Sequence, residues 1–126
     1  MTSAERATDL TSCRVLVVED EFFLAEDMAQ ALRALGAEVV GPVSTSDAAL
    51  ALLAAEPVHA AVLDVNLKGQ MAYSIADALR DKGVPFVFAT GYSEAAMPEA
   101  YRDVPRWEKP FNAEDLASSL AGLLRA

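Results

Sequence analysis

Five side chains that could take part in chemistry come directly after predicted β-strands. They are Glu19, Asp20, Asp64, Thr90 and Lys109. In an open parallel sheet, functional groups gather at the carboxyl ends of the strands. We therefore expect three carboxylates, one hydroxyl and one ammonium group to lie along one edge of a sheet.

Three carboxylates in one place repel each other unless a cation neutralises them. Mg²⁺ prefers octahedral oxygen coordination and keeps waters, so two or three carboxylates, a backbone carbonyl and a phosphate oxygen would suit it. Taken singly, these acids are equally well explained as strand-end or helix-cap residues, and Asp20 in particular could cap the following helix. Thr90 alone could simply end a strand, and Lys109 alone could be a solvated lysine. Their occurrence together, at matching strand ends, favours a metal and anion site.

The elements that position these residues follow a regular alternation. Short β-branched runs alternate with longer Ala- and Leu-rich segments of helical spacing, which is typical of βαβ units and a mostly parallel sheet. Strands are predicted at residues 15–18, 38–43, 59–63, 85–89 and 106–108, and helices at residues 21–35, 48–55, 72–80 and after Asn112. Ser44 and Asp47 have the spacing of a helix start. A fourth helix between residues 93 and 104 is predicted to be short or mobile, because Pro98 falls inside it and Pro105 follows it.

Composition narrows the classes of function. The chain has 126 residues, with 10 basic and 19 acidic side chains and a net charge of −9, which opposes non-specific attraction to nucleic acid or anionic lipid. The longest apolar run, residues 48–55, is much shorter than the roughly 20 residues that span a bilayer. With a polar N-terminus and a lone cysteine, Cys13, we expect a cytoplasmic protein. Residues 1–13 lack apolar periodicity and are predicted to be a flexible leader before one domain at residues 14–126.

Four short motifs, in order, resemble the receiver domain of two-component response regulators. They read VLVVEDE at residues 15–21, VLDVNL at 62–67, ATGY at 89–92 and KPF at 109–111. The longer run PFVFATGY at residues 85–92 resembles the signature of a single-domain subgroup known as the FAT GUY class. The resemblance covers nearly everything from Arg14 onward. It implies the flavodoxin-like receiver fold, an α/β architecture with a doubly wound five-stranded parallel sheet in the order 2-1-3-4-5.

The resemblance also implies a chemistry. Asp64 would be the nucleophile that a histidine kinase phosphorylates, with Mg²⁺ bridging the acids and the phosphoryl group. Asp20 would hold the metal directly, Glu19 directly or through water, and Asn66 through its backbone carbonyl. Lys109 would pair with the added phosphate.

Further positions around the phosphate follow from the same resemblance. Thr90 would donate a hydrogen bond to the phosphoryl group and move the loop after it. Gly91, which lacks a side chain, would leave room beside the phosphate site. Asn66 and Tyr92 would flank the phosphate and tune its hydrolysis.

The sequence departs from the family in its switch region. Many receivers carry Tyr or Phe three residues before the lysine, where this chain has Arg106. Trp107 is predicted to face the opposite side of the strand, because side chains alternate along a strand. The segment from Ser93 through Pro98 to Val104 is therefore expected to carry the conformational change. Tyr101 is either a substitute for the missing aromatic or, as we favour, a surface residue.

Because the receiver resemblance occupies the whole chain, the leading hypothesis is a stand-alone phosphoacceptor that acts as a switch, a relay intermediate or a phosphate sink. Its expected partners are a histidine kinase and a downstream protein or phosphotransfer protein, with no nucleic acid or membrane insertion, and the protein itself is expected to be a monomer or weak dimer. We do not expect an enzyme, because the chemistry would act on the protein's own side chain.

The alternative is a phosphate-independent adaptor that uses the receiver fold as a binding scaffold. A flavodoxin-like cofactor domain and an aspartyl phosphatase fit less well, because acids follow the first strand and no second acid closely follows Asp64.

Overall fold

Strands and helices alternate along the chain in the computed structural model, which describes residues 10–91 and 97–125. In chain order they are β1 (Arg14–Val18), α1 (Phe22–Ala34), β2 (Glu38–Val43), α2 (Ser46–Ala55), β3 (Ala60–Asp64), β4 (Asn66–Leu67), β5 (Gln70–Met71), α3 (Tyr73–Asp81), β6 (Phe86–Thr90), a 3₁₀ helix (Glu99–Tyr101), β7 (Arg106–Glu108) and α4 (Ala113–Arg125).

The central sheet has five parallel strands in the order β2-β1-β3-β6-β7. This is the predicted order 2-1-3-4-5, counting these five strands alone, so the predicted fold class is confirmed. Every residue of β3 is buried, as expected for a continuous apolar strand covered on both faces. β2 pairs with β1 through an irregular register opposite the Leu16–Val18 stretch, where Gly41 and Pro42 lie in β2.

Two hydrophobic clusters cover the two faces of the sheet. Alternate residues of β1 belong to different clusters, with Leu16 and Val18 on one face and Val15 and Val17 on the other. The first cluster contains buried side chains of α2 and α3, and the second contains those of α1 and α4. The sheet is therefore held between two helix pairs, which leaves the ends of its strands as the accessible edges.

Two helix starts differ in how well they were predicted. Asn112 Oδ1 accepts a hydrogen bond from the Asp115 amide at 3.0 Å, which is the predicted start of α4. At α2, however, the cap is Thr45 and not Ser44, because Thr45 Oγ1 accepts from the Ala48 amide at 3.2 Å. The helix begins at Ser46, so the capping position falls on Thr45, one residue after the predicted Ser44.

A small antiparallel hairpin of β4 and β5 follows β3, and the sequence patterns did not indicate it. Leu67 pairs with Gln70, so Lys68 and Gly69 form a two-residue turn. Both have positive φ, 52° at Lys68 and 89° at Gly69, as a type I′ hairpin turn requires. The buried side chain of Leu67 fixes the hairpin to the core.

The predicted fourth helix is short in the part that the structure describes. Residues 97–104 contain a 3₁₀ helix of three residues, Glu99–Tyr101, with Pro98 at its N-cap. The restricted backbone of Pro98 suits that cap position but not a helix interior. Residues 92–96 lie outside the described residues.

The packed part of the chain begins earlier than the predicted domain start at Arg14. Leu10 is fully buried in the core, and its amide donates to the Leu35 carbonyl at 2.7 Å. Thr11 lies so close to Gly36 that a Cβ there would be 2.6 Å from Thr11 Oγ1. Leu10 is thus packed rather than part of a flexible leader, because its side chain lies in the core cluster that α1 helps to form, whereas Thr11 and Ser12 are exposed. The rest of the leader, residues 1–9, lies outside the described residues.

Across residues 10–91 and 97–125, none of the helices has both the length and the apolar character needed to cross a membrane.

Leu10 provides a test of this boundary. We expect Leu10→Ala to lower the free energy of unfolding by about 2–4 kcal/mol, because it removes a fully buried side chain from the core. Met71→Ala is the control, since Met71 is 48% exposed, and it should change stability by no more than about 0.5 kcal/mol. Urea unfolding of the three proteins measures both effects. Equal stability of Leu10→Ala and the native protein would show that residues 10–13 are not part of the packed domain.

Candidate functional site

The parallel sheet brings the predicted residues to one edge. Asp64 is the last residue of the central strand β3, Thr90 is the last of β6, and Lys109 directly follows β7. Glu19 and Asp20 follow β1 in the same way. Glu19, Asp64 and Thr90 are nearly inaccessible to solvent, at 2%, 3% and 0% exposure. Buried polar groups need partners, so the contacts among these side chains determine the properties of the site.

The ammonium group of Lys109 lies between the carboxylates. Its Nζ donates to Asp64 Oδ2 at 3.1 Å and to Glu19 Oε2 at 3.2 Å. Glu21 Oε1 lies 3.5 Å from the same nitrogen. The Lys109 amide donates to the Thr90 carbonyl at 2.8 Å, which extends the pairing of β6 and β7 and fixes where this side chain starts.

Asp20 completes a group of three acids without capping α1. One ligand oxygen from each of Glu19, Asp20 and Asp64 can be chosen so that all lie within 4.8 Å of one another. The N-cap residue of α1 is Glu21, whose side chain makes no capping hydrogen bond. Asp20 Oδ2 instead accepts from the backbone amide of Lys68 at 2.9 Å. The alternative explanation of Asp20 as a helix cap is therefore wrong.

A divalent cation fits this set of donors. Glu19 Oε1 is buried and lies 3.1 Å from Lys109 Nζ, but it accepts no well-aligned hydrogen bond. The lysine ammonium compensates the burial of this oxygen only in part, and a bound metal cation would add to that compensation. Three carboxylates with one such oxygen suit a hard, oxygen-binding ion such as Mg²⁺. The acids open into a cleft of about 270 Å³, lined by Asp20, Glu21, Asp64, Asn66, Lys68, Thr90, Gly91 and Lys109.

Burial changes the proton affinities of these groups. Desolvation raises the pKa of Glu19 to about 8, and the neighbouring Asp64 adds to the rise. The pKa of Asp64 is also raised by burial, although Glu19, Lys109 and the Asn66 amide oppose the rise. For Lys109, burial alone would lower the pKa, but Asp64 and Glu19 outweigh it and the pKa is raised. Burial therefore favours an extra proton on these acids, which a bound dication would displace.

The other predicted neighbours of the phosphate lie around the same cleft. The Asn66 amide donates to Asp64 Oδ1 at 3.2 Å, and the Asn66 side chain accepts from the Gly69 amide at 2.7 Å. A Cβ at Gly91 would meet no atom within 4 Å, so the space beside it is open. Tyr92 and Ser93 lie outside the described residues.

The two candidate switch residues of β7 face opposite sides of the sheet. Trp107 packs on the cluster that contains α1 and α4, with its ring 6.1 Å from that of Phe111. Arg106 lines a separate cavity of about 230 Å³ together with Met97, Tyr101, Arg102 and Val104. Many receivers carry an aromatic side chain at this position. Here the position faces a cavity and is occupied by the positively charged side chain of Arg106.

Tyr101 is half-buried and has several partners, so the favoured interpretation of it as a simple surface aromatic is incomplete. Its ring stacks on that of Tyr73 at 4.6 Å and meets the edge of Phe88 at 6.2 Å. Its hydroxyl donates to Asp77 Oδ1 at 2.6 Å. The guanidinium of Arg80 lies 5.3 Å from the ring centre and donates to the Ala100 carbonyl at 2.7 Å. These contacts fasten the 3₁₀ helix to α3.

The motif analysis missed two residues that line the cleft, Glu21 and Lys68. The sequence pattern assigns Glu21 only to the start of α1 and gives no sign of its place beside Lys109. Lys68 enters the site through its backbone amide, and its Lys-Gly pair is not one of the usual hairpin-turn pairs, so no sequence signal marks it.

Comparisons with known proteins show the family and the fold of this chain. The profile of the family described as "Response regulator receiver domain" matches residues 15–121. Transcriptional regulatory protein PdtaR of Mycobacterium tuberculosis is 29% identical over 111 residues, covering 85% of this chain. This chain spans about half the length of PdtaR, since the match covers 54% of it.

Several solved structures of response regulators are similar to this chain in fold and sequence. The solution structure of SdrG from Sphingomonas melonis Fr1 has a TM-score of 0.77 and 40% identity, covering 89% of this chain and 96% of SdrG. A second SdrG structure is in a BeF₃-activated conformation, with 39% identity and a TM-score of 0.75. The response regulator PhyR from Brucella abortus has a TM-score of 0.80 and 29% identity, covering 98% of this chain and 51% of PhyR.

The raised pKa of Glu19 leads to a prediction about stability and pH. A carboxyl group whose pKa is higher in the folded than in the unfolded state favours folding while it is protonated, and that contribution is lost as pH rises through the folded value. In a chelator, we expect the free energy of unfolding of the native protein to fall more steeply from about pH 5 to about pH 9 than that of Glu19→Gln. Urea unfolding across this pH range measures the difference.

The matched control for this comparison is Glu114→Gln, which neutralises an exposed carboxylate of α4. Its pH dependence should parallel that of the native protein. Parallel curves for Glu19→Gln and the native protein would mean that Glu19 is not protonated at neutral pH.

Proposed function

The chain belongs to the response regulator receiver domain family, whose members are signalling domains, and from this premise we propose that Asp64 accepts a phosphoryl group from a histidine kinase in the presence of Mg²⁺. One observation carries the proposal. A buried aspartate ends the central strand, 3.1 Å from the ammonium group of Lys109, with two further carboxylates close enough to share a cation. Phosphoryl transfer depends mainly on in-line positioning and charge neutralisation, and this arrangement is suited to both.

Asp20, Asp64 and the backbone carbonyl of Asn66 would hold Mg²⁺, and Glu19 would contribute directly or through water. When bound, the ion would supply positive charge beside the transferred phosphoryl group. The unsatisfied buried oxygen of Glu19 supports this assignment. Metal binding would have to release the proton that the raised pKa of Glu19 favours, so the affinity for Mg²⁺ should rise with pH.

In the proposed transfer, a carboxylate oxygen of Asp64 forms the new bond to phosphorus. The bond between phosphorus and the histidine nitrogen of the kinase breaks, and that nitrogen keeps the electron pair. Lys109 already contacts Asp64 Oδ2, so it lies where it can pair with the phosphoryl oxygens as negative charge moves outward. Thr90, which lines the same cleft, would donate its hydroxyl to the new phosphoryl group.

Phosphorylation would be transmitted through the segment between β6 and β7. Thr90 ends β6, and the ring of Phe88 in the same strand contacts Tyr101. Because Arg106 replaces the usual aromatic, we assign the aromatic part of the switch to Tyr101, which is anchored on α3 through Asp77. The cavity beside Arg106 provides space into which this segment, from Pro98 onward, could move.

We further propose that the protein acts as a cytoplasmic stand-alone receiver of the FAT GUY subgroup, a monomer or weak dimer that signals by contact with a downstream protein or phosphotransfer protein. The run PFVFATGY supports the subgroup. Coverage of 96% of SdrG supports the stand-alone form. The switch, relay and sink modes all use the same Asp64 chemistry, and the identity of the partner distinguishes them.

Asp64→Asn should abolish phosphoryl acceptance, because an amide is a far weaker nucleophile than a carboxylate. Intact mass spectrometry after incubation with acetyl phosphate and Mg²⁺ measures the adduct. The native protein should gain one phosphoryl group, and both the variant and a chelator-treated sample should gain none.

Undiminished labelling of Asp64→Asn would place the phosphoacceptor elsewhere. If the native protein is labelled neither by acetyl phosphate nor by candidate kinases, the adaptor hypothesis would replace the phosphoacceptor.

The switch assignment predicts where the structure changes. On phosphorylation, the largest amide chemical-shift changes away from the cleft should fall in residues 93–104, because this segment joins Thr90 to Arg106. The Asp64→Asn protein under the same conditions is the control. Changes restricted to the surroundings of Asp64 would contradict the assignment.

A further inference from the structure

We propose that the β4–β5 hairpin is a positioning element of the metal site, which holds the carboxylate of Asp20 through the backbone amide of Lys68. This inference rests on the proposed function, since it concerns how the chain prepares the site for Mg²⁺. The contact is the 2.9 Å hydrogen bond from the Lys68 amide to Asp20 Oδ2, which joins residues 48 positions apart.

The hairpin is fixed at its base by two hydrogen bonds to the end of β3 and the residue after it, and by the burial of Leu67 in the core. The Asn66 amide donates to Asp64 Oδ1, the Ala72 amide donates to the Val65 carbonyl at 2.8 Å, and Leu67 is 4% exposed in the core. Because both ends of the hairpin are held, the position of its tip is determined. The hairpin therefore connects the segment after β3 with the segment after β1.

The backbone at the tip is unusual in a way that serves this contact. Lys68 has a φ of 52°, a conformation that residues other than glycine adopt infrequently and that is often found at functional sites. A two-residue type I′ turn requires it. The side chain of Asn66 adds support, because its Oδ1 accepts from the Gly69 amide at 2.7 Å.

This arrangement addresses a specific difficulty of the site. Asp20 is the most exposed of the three acids, and it lies beside carboxyl groups that repel its negative charge when they are ionised. Without a donor, its side chain would have several rotamers that point into solvent. A hydrogen bond to one carboxylate oxygen orients the side chain and leaves the second oxygen for a metal ion. Partners of this kind commonly change metal affinity about tenfold or more when they are removed.

The test uses two glycines that have the same backbone property. Gly69, in the hairpin, has φ +89°, and Gly83, after α3, has φ +70°, and a Cβ at either would meet no atom within 4 Å. Alanine at either position therefore introduces backbone strain without a steric clash. We expect Gly69→Ala to weaken Mg²⁺ binding about five- to tenfold, by loosening the hold on Asp20. Gly83→Ala should leave the Mg²⁺ affinity within about twofold of the native value. It should lower the free energy of unfolding about as much as Gly69→Ala does.

Mg²⁺ affinity is measured from amide chemical shifts during titration, and urea unfolding gives the stability of each variant. Asp20→Ala supplies the second half of a double-mutant cycle. If the hairpin acts through Asp20, adding Gly69→Ala to Asp20→Ala should cause almost no further loss of affinity. Hydrogen exchange of the Lys68 amide should be slow in the native protein and faster in Asp20→Ala, because its acceptor is gone.

The outcomes separate this inference from the proposed function. If the native protein does not bind Mg²⁺, the proposed metal site is wrong. If the native protein binds Mg²⁺ and Asp20→Ala binds it weakly, but Gly69→Ala binds it as the native protein does, the metal site stands and the hairpin inference is overturned. An equal effect of Gly69→Ala in the presence and absence of the Asp20 carboxylate would also overturn it.

Discussion

The placement of one ammonium group among buried carboxylates is the constraint on which the site depends. Lys109 contacts Asp64 and Glu19 directly, with Glu21 slightly farther away. Removing two carboxylates and an ammonium from water is costly, and their mutual attraction compensates only if the geometry is tight. The carboxyl ends of β1, β3 and β7 must therefore lie level with one another at the edge of the sheet. The parallel sheet, with its core on both faces, provides that registration.

Lys109 compensates the charge of the buried carboxylates only in part, which leaves the site able to bind a further cation. A single positive charge cannot neutralise three acids, and the buried oxygen of Glu19 lacks a well-aligned donor. Without a metal ion, the raised pKa of Glu19 favours a proton in the place where a dication would supply charge. A site fully satisfied by its own side chains would have little affinity left for a metal ion or for an incoming phosphoryl group.

The sheet and the placement of the site residues could be predicted because both depend on patterns that are local in sequence. Buried parallel strands are continuous apolar runs, and the residue after each run lies at the carboxyl edge. The hairpin could not be found in this way, because β4 and β5 have two residues each and show no periodicity. The burial of Leu10 and the contacts of Tyr101 were missed for another reason. Each depends on a partner distant in the chain, Leu35 for the first and Asp77 for the second.

The outer strands of the sheet determine how easily a second chain could pair with it. An exposed strand edge is a template on which a second chain can add its own strand, which leads to aggregation. β7 has three residues, and two of them, Arg106 and Glu108, are charged. β2 contains Pro42, which has no amide to donate to an added strand. Neither outer strand offers a long, regular row of hydrogen-bonding groups, so strand addition is disfavoured and any association is left to side-chain surfaces.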